Sequence, residues 1–287
     1  MNVLILSAGG PAGYGSIKSL RDINFSGKIV SIDGDELAVG FHMSDKYYVV
    51  PNVDDKDYIP QVLKIVDKEK IDLILPTGSD VEPISKNAHL FEGKLFMSDY
   101  ESIMDCTDKW RFYNKCKDKF PLPNTFKGSK LFKKPIIGSG SRGCELVKFN
   151  SDEILSEYLP GQEYTIDVLC DMDSNPLVVI PRKRLQVKAG ISSKGEIIKN
   201  TFIEKACFNI CKFLKLKGPI CLQMKEDSEG NPKFIEINPR LGGGTYFTTL
   251  AGINILSIIL DLVNGNKPKI PTPDLIKVVR YYSEIVI

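Results

Sequence analysis

Between Pro219 and Asn238 the sequence spells out a β-hairpin. Pro219-Ile220-Cys221-Leu222-Gln223-Met224-Lys225-Glu226 alternates, with Ile220, Leu222 and Met224 on one side and Cys221, Gln223 and Lys225 on the other. Asp227-Ser228-Glu229-Gly230-Asn231-Pro232 is a cluster of turn formers. A second short strand follows and runs into the glycine-rich exit Pro239-Arg240-Leu241-Gly242-Gly243-Gly244. Residues two apart on a strand share a face, so Glu236 and Asn238 project together while Ile235 and Ile237 turn towards a core. Folding about the turn can set Gln223 opposite Glu236, so that three oxygen-bearing side chains converge with Arg240 just beyond. Oxygen ligands with a single carboxylate suit a Mg²⁺ ion that is also held by phosphates. Taken alone, the pattern fits an ordinary hairpin with a polar outer face better than a metal site, because short motifs match by chance.

The N-terminal hundred residues follow another rule. Val3–Ser7 reads as a buried strand, Gly9–Gly15 as a tight turn, Ser16–Asp22 as a helix, and Lys28–Ile32 as a second strand ending at Asp33. Strands are expected again near 47–50, 71–75 and 94–97, with helices over 59–68 and 81–90 between them. Strands alternating with helices predict an open, parallel, doubly wound sheet. Its glycines do not spell G-x-G-x-x-G, so a nicotinamide site is weakly supported, and Asp33 reads as a strand cap before a ribose ligand. Ligands bind such sheets at the carboxyl ends of the strands, where the Gly9–Gly15 turn and the Thr77–Glu82 loop lie.

Composition narrows the field. A net charge of +2 over 287 residues, with no long basic run, does not suggest a nucleic-acid partner. The N-terminus lacks the charged region of a signal peptide, and the apolar stretch 253–263 is interrupted by Asn254, Ser257 and Asp261 and is too short for a bilayer. A cytoplasmic protein without membrane attachment is the expectation. The seven cysteines contain no Cys-x-x-Cys pair and read as reduced, buried thiols, although Cys207 and Cys211 share a helix face. Two histidines, His42 and His89, leave no evident catalytic triad or zinc set.

Between these regions lie weaker signals. Lys109 opens a helix, where a cation opposes the macrodipole. A strand ending in Lys133-Lys134-Pro135 meets the tip Gly138-Ser139-Gly140-Ser141-Arg142-Gly143 before a return strand from Cys144. Such a tip can bring backbone N–H groups to phosphate oxygens, or be only a mobile hairpin. Glu163, Thr165 and Asp167 share a strand face, and Arg182, Lys183, Arg184 and Lys188 flank a Gly/Ser loop that suits an anion or is a solvated basic loop.

The order of these features is the strong signal. Lys109, Lys134-Pro135 before the glycine-serine tip, Glu157-Tyr158-Leu159-Pro160-Gly161-Gln162-Glu163, Gln223 and Glu236-Ile237-Asn238-Pro239-Arg240 together resemble the ATP-grasp superfamily over nearly the whole chain. The branch is similar to the carboxylate–amine ligases that look like one half of the carbamoyl-phosphate synthase large subunit. The resemblance implies an α/β protein: a Rossmann-like pre-ATP-grasp domain over 1–104, a small lid subdomain over 105–155, and an α+β C-terminal subdomain with the metal site over 156–287. It implies Lys109 and Lys134 on the ATP phosphates, with Lys133 as an alternative to Lys134. Gly138, Ser139, Gly140, Ser141, Arg142 and Gly143 would form the lid over them. Glu157, Tyr158 and Leu159 would be the adenine hinge, with Glu163 on the ribose. Gln223, Glu236 and Asn238 would hold Mg²⁺ or Mn²⁺, Arg240 the transferring phosphoryl group, and Arg184 and Lys188 a phosphate or substrate carboxylate. The implied reaction joins a small carboxylic acid to an amine through an acyl phosphate, releasing ADP and phosphate, in a protein that can be a homodimer. A small-molecule kinase and a nucleotide-binding module without turnover use the same residues. The stretch from 109 to 157 is short for the family's lid.

Overall fold

The computed structural model of the protein describes residues 1–128, 130–137, 143–148, 150 and 152–287. Its N-terminal part is a four-stranded parallel sheet. The strands are β1 (Val3–Ile5), β2 (Ile29–Asp33), β3 (Lys46–Val49) and β4 (Leu73–Leu75), in the order β3-β2-β1-β4. β1 and β4 are buried at every position, as expected where both faces are covered. The expected strand at 94–97 shrinks to one bridge, Ile74 with Leu95. Helix α1 (Pro11–Asp22) starts earlier than the glycines suggest: Pro11 sits in its first turn, where a missing N–H is harmless. Gly13 is therefore helical, and a Cβ there would lie 2.4 Å from the Ser7 carbonyl oxygen, so glycine lets α1 pack onto the end of β1. Helix α2 (Tyr58–Lys68) buries Tyr58, Val62, Ile65 and Val66 at helical spacing. Helices α3 (Val81–Lys86), α4 (Tyr100–Thr107) and α5 (Lys109–Cys116) follow, and α4 runs across the expected boundary at 104. Asp108 caps α5 by accepting from the N–H groups of Trp110 and Arg111, both at 2.9 Å.

Two small antiparallel pairs come next: β5 (Thr125–Lys127) with β8 (Ile154–Ser156), and β6 (Lys130–Lys133) with β7 (Glu145–Lys148). The remainder is a six-stranded antiparallel sheet of order β13-β12-β9-β10-β11-β14. Its strands are β9 (Glu163–Cys170), β10 (Pro176–Lys188), β11 (Ile191–Ile197), β12 (Gly218–Glu226), β13 (Pro232–Asn238) and β14 (Lys277–Val279). The basic segment read as a loop is thus strand: β10 carries Arg182 and Arg184 to a turn at 189–190, where Ala189 and Gly190 both have positive φ. One face of the sheet is covered by α6 (Thr201–Phe213), which buries Ile203, Cys207, Ile210 and Cys211. Cys207 and Cys211 are fully buried in this apolar core, so their shared face is a packing face, and burial pushes the Cys207 thiol up. The chain then forms α7 (Thr245–Leu250) and α8 (Ile255–Val263). Helix α8 joins a core with Val3 and Ile5 of β1, Ile17 of α1, and Leu169 and Val178 of the antiparallel sheet. No helix among the described residues is long and apolar enough to cross a membrane.

Candidate active site

The β12–β13 register sets Gln223 opposite Glu236 and Cys221 opposite Asn238. The pairing then slips: Met224 faces Phe234, and Ile235 is left over as a bulge. This changes the expected core. Phe234 and Ile237, three apart, are the buried residues, at 0% and 1% exposure, whereas Ile235 is only partly buried and turns to a cavity. The extra residue reverses the alternation on the turn side of Glu236 and leaves it intact on the Asn238 side.

The polar face of this hairpin joins two cavities. The larger, about 430 Å³, is lined by apolar groups of α5, β8 and β13, including Phe112, Ile154 and Ile235, and by Leu122 of the segment before β5. Lys109, Glu157, Tyr158 and Leu159 line it too, with Lys225 of β12. Glu157 is held in place: Lys233 Nζ donates to both its carboxylate oxygens at 2.9 and 3.1 Å, and Asn124 N–H donates at 3.0 Å. Those donors, Lys233 foremost, keep its carboxyl below the usual range. Its own N–H donates to the Asn124 carbonyl at 2.8 Å, which ties this edge to β5.

The smaller cavity, about 220 Å³, lies where the carboxyl edge of the parallel sheet meets the antiparallel sheet. Ser7, Gly10, Pro11 and Gly78 form one wall; Gln223, Asn238, Arg240, Arg182 and Arg184 form the other. Ser7 has φ of 51°, and its hydroxyl donates to the buried Asp80 carboxylate at 2.5 Å. Burial pushes the Asp80 carboxyl up to about 6, against the hydrogen bonds from Ser7 and Gly78 and the charge of Arg240. Arg240 donates to the Asn238 side chain at 3.3 Å and to the Leu241 carbonyl at 2.9 Å.

The residues expected to act together divide into groups. Gln223, Asn238, Arg240 and Arg184 meet at the smaller cavity, with Glu236 paired to Gln223 beside them. Lys109, Glu157, Tyr158 and Leu159 meet at the larger. Glu163 lines neither cavity: its carboxylate is ion-paired with Arg184 Nη1, next to the pairing position of Lys225. Lys188 is exposed and lines a neighbouring pocket with Tyr14 and Arg280. Lys134 is exposed, Lys133 pairs with Glu145 at 3.2 Å, and Gly143 turns beside Pro135 with φ of 75°. Gly138, Ser139, Gly140, Ser141 and Arg142 lie outside the described residues. Asp33 accepts from the Gly9 and Asp35 N–H groups at 2.8 and 3.0 Å, the structural role expected of it. Arg182, grouped in the sequence with Lys183, Arg184 and Lys188 as a basic cluster that suits an anion or is solvated, is the largest fully buried side chain among the described residues. Its spacing of two residues from Arg184 on a strand is what sets it apart from Lys183 in that cluster.

Comparison with known families agrees with this geometry. Residues 150–285 match the model described as ATP-grasp in the biosynthetic pathway with Ter operon. The chain carries an ATP-grasp domain. Ahead of it, residues 3–91 match the PylC-like N-terminal domain. No curated protein sequence matches the chain. Among solved structures, a Campylobacter jejuni biotin carboxylase, in complex with β-γ-ATP, aligns at a TM-score of 0.68 and 15% identity, over 96% of this chain and 73% of that one. The phosphoribosylaminoimidazole carboxylase ATPase subunit of Aquifex aeolicus aligns at 0.66 and 16%, over 93% and 76%. The biotin carboxylase domain dimer of Hydrogenobacter thermophilus 2-oxoglutarate carboxylase, with MgADP, ADP and bicarbonate, aligns at 0.64 and 15%, over 93% and 70%. At these identities the likeness is one of fold: a parallel sheet followed by the antiparallel sheet of the ATP-grasp domain.

Proposed function

We propose that the protein is an ATP- and Mg²⁺-dependent ligase that joins a small carboxylic acid to an amine and releases ADP and phosphate. The observation that carries this reading is the run of one hairpin face between two cavities. Lys225 and Ile235 line the larger cavity, Gln223 and Asn238 the smaller, and Glu236 is paired with Gln223. Residues two apart on a strand are about 6.5–7 Å apart. A nucleotide with its base in the larger cavity would thus direct its phosphates along Gln223 and Glu236 towards Arg240. Two of the structurally similar proteins are complexes with an adenine nucleotide, which supports the same reading.

The donor set fits the implied ion. Gln223, Glu236 and Asn238 offer oxygens with one carboxylate, which suits Mg²⁺ or Mn²⁺ shared with phosphate oxygens. That ion would neutralise phosphate charge. In the reading, Lys109 and the Glu157–Leu159 edge hold the nucleotide, and Lys134 with the 138–143 tip closes over it. Residues 1–104, 105–155 and 156–287 then serve as acceptor domain, lid and metal-bearing domain. A carboxylate oxygen attacks the γ-phosphorus as the bond to ADP breaks. The amine then attacks the acyl carbon, phosphate leaves, and the nitrogen loses a proton. Arg240 and Arg184 offset the charge that gathers when two anions meet, so the protein's share is positioning and electrostatics.

A screen of acid and amine pairs, read by ADP release, tests the reading. ADP and phosphate formed only with both substrates is the expected result. AMP and pyrophosphate would exclude an acyl phosphate, and a stable phosphorylated product without an amine would make the protein a kinase. Glu236→Ala is expected to abolish turnover; full activity in that variant would remove the metal assignment.

A further inference from the structure

Arg182 is a buried cation with too few partners. Its side chain is 1% exposed; among the described residues its Nε has no hydrogen-bond acceptor and its Nη1 reaches only Ser192 Oγ, at 3.4 Å. The one carboxylate paired with it among the described residues, Asp167, lies 3.5 Å from Nη2. A well-made guanidinium–carboxylate bond is about 2.7–2.9 Å. Asp167 instead takes its short bonds from the hydroxyls of Thr248 and Thr245, at 2.6 and 2.9 Å. A guanidinium removed from water and left loosely paired is costly unless something else completes it.

The surroundings indicate what that is. Arg182 lines the cavity of about 220 Å³, whose described lining residues include three arginines and no acid. Arg182, Arg240 and Cys221 all line this one small space. Across from them is the start of α1, a twelve-residue helix whose N-terminal N–H groups favour an anion. The approach of Arg182 is built into the backbone: a Cβ on Gly244 would lie 2.4 Å from its Nη2, and the Phe247 ring stacks 5.3 Å from its guanidinium carbon.

We propose that this cavity is a receptor for a compact dicarboxylic acid: one carboxylate lies at Arg240 and is activated there, and the second is bound by Arg182. The assignment of the first carboxylate as the reacting group rests on the ligase reading above; the receptor itself does not. The size of the cavity limits the acid to a short chain, and the absence of an acid from its described lining disfavours a free ammonium group beside Arg182.

The experiment uses the full chain without nucleotide. Malonate, succinate and glutarate are compared with acetate, propionate and butyrate at matched ionic strength, by thermal shift and calorimetric titration. At least one dicarboxylate is expected to bind saturably, with the matching monocarboxylate at least tenfold weaker. Arg182→Met is expected to lose at least tenfold in dicarboxylate affinity. Gly244→Ala, which displaces the guanidinium without removing it, is expected to lose affinity as well and decides the matter if Arg182→Met does not fold. Monocarboxylates that bind as tightly as dicarboxylates, no binding by any of the three dicarboxylates, or wild-type affinity in a folded variant would each overturn the proposal. A dicarboxylate that binds but never provokes ADP release with any amine would sink the ligase reading and leave the receptor standing. ADP release that runs on monocarboxylates alone would do the reverse.

Discussion

Two buried carboxyls set opposite limits on stability with pH. Glu69 is 4% exposed and accepts from the Tyr48 hydroxyl, from Lys28 Nζ at 3.0 Å and from Lys46 at 3.1 Å. The Tyr48 bond, then the two lysines, hold its carboxyl down at about 2, so its contribution is full above pH 4.5 and lost as pH falls towards 2. Asp80 works the other way. Its folded pKa of about 6 lies above the ordinary 3.8, so the folded chain takes up a proton before the unfolded chain does. The buried charge therefore destabilises the protein above pH 6, and the penalty is relieved as pH falls from 6 to 4. Arg240 bears on this carboxyl by its charge, and Asp80 and Asp33 together bear on the buried Tyr58 hydroxyl. Between pH 7 and 5 the wild type is expected to gain on the order of 1 kcal/mol relative to Asp80→Asn. Urea unfolding of both proteins at the two pH values measures it; identical pH dependence would show that Asp80 does not titrate in this window. The two residues also differ in how far sequence reveals them. The Thr77–Glu82 loop was placed at the ligand edge by the α/β pattern, but only the fold shows that Ser7 encloses the Asp80 carboxyl.

At the scale of elements, the β12–β13 hairpin shows what alternation can and cannot reveal. The turn formers at 227–232 and the two alternating strands fixed the pairing of Gln223 with Glu236. The bulge at Ile235 left no trace, because one extra residue is compatible with any local composition and is decided by packing against the neighbouring elements. Arg182 was hidden for a related reason. A cluster of four cations beside glycine and serine looks solvated, and only the continuation of β10 to Lys188 turns alternate members inward. Lys134, expected on the nucleotide phosphates, is exposed, and residues 138–142 of the glycine-serine tip lie outside the described residues. The bulge separates two jobs that the sequence merges. Phe234 is buried and joins the core with Phe120 and Phe213, so Phe234→Ala is expected to cost about 3–5 kcal/mol. Ile235 is only partly buried in the larger cavity, so Ile235→Ala is expected to cost less than about 1 kcal/mol while reducing the thermal shift given by MgATP. Urea midpoints and nucleotide-dependent melting measure the two effects; an unchanged MgATP shift in Ile235→Ala would place the base elsewhere.

The whole molecule is organised so that the smaller cavity has two firm walls from distant parts of the chain. Ile17 and Leu20 of α1 share one core with Ile255, Leu256 and Ile259 of α8, and with Leu169 and Val178 of the antiparallel sheet. Polar contacts reinforce the join: Asn254 donates to the Ser19 carbonyl at 2.7 Å, and Ser19 and Thr249 hydroxyls meet at 2.9 Å. On the other side, Ser98 Oγ donates to the Lys217 carbonyl at 3.0 Å and accepts from the Lys217 N–H at 2.8 Å. Gly218, with φ of 73°, lets the start of β12 pass within contact of Phe96, where a Cβ would come 2.4 Å from its carbonyl oxygen. A hydrophobic join of this kind opposes independent motion of the two parts. It also means that the parallel sheet cannot bury its α1 face alone. The full chain is therefore expected to unfold in a single calorimetric transition as far as these two sheets are concerned, and Ile17→Ala, a fully buried position, is expected to lower that one transition by about 2–5 kcal/mol. Residues 1–104 expressed alone are expected to show no cooperative melt, because α1 would expose Ile17 and Leu20 to water. Two resolved transitions in the full chain, or a cooperative melt of the excised segment, would mean that the cavity walls are free to move apart and that substrate binding, not the core, brings them together.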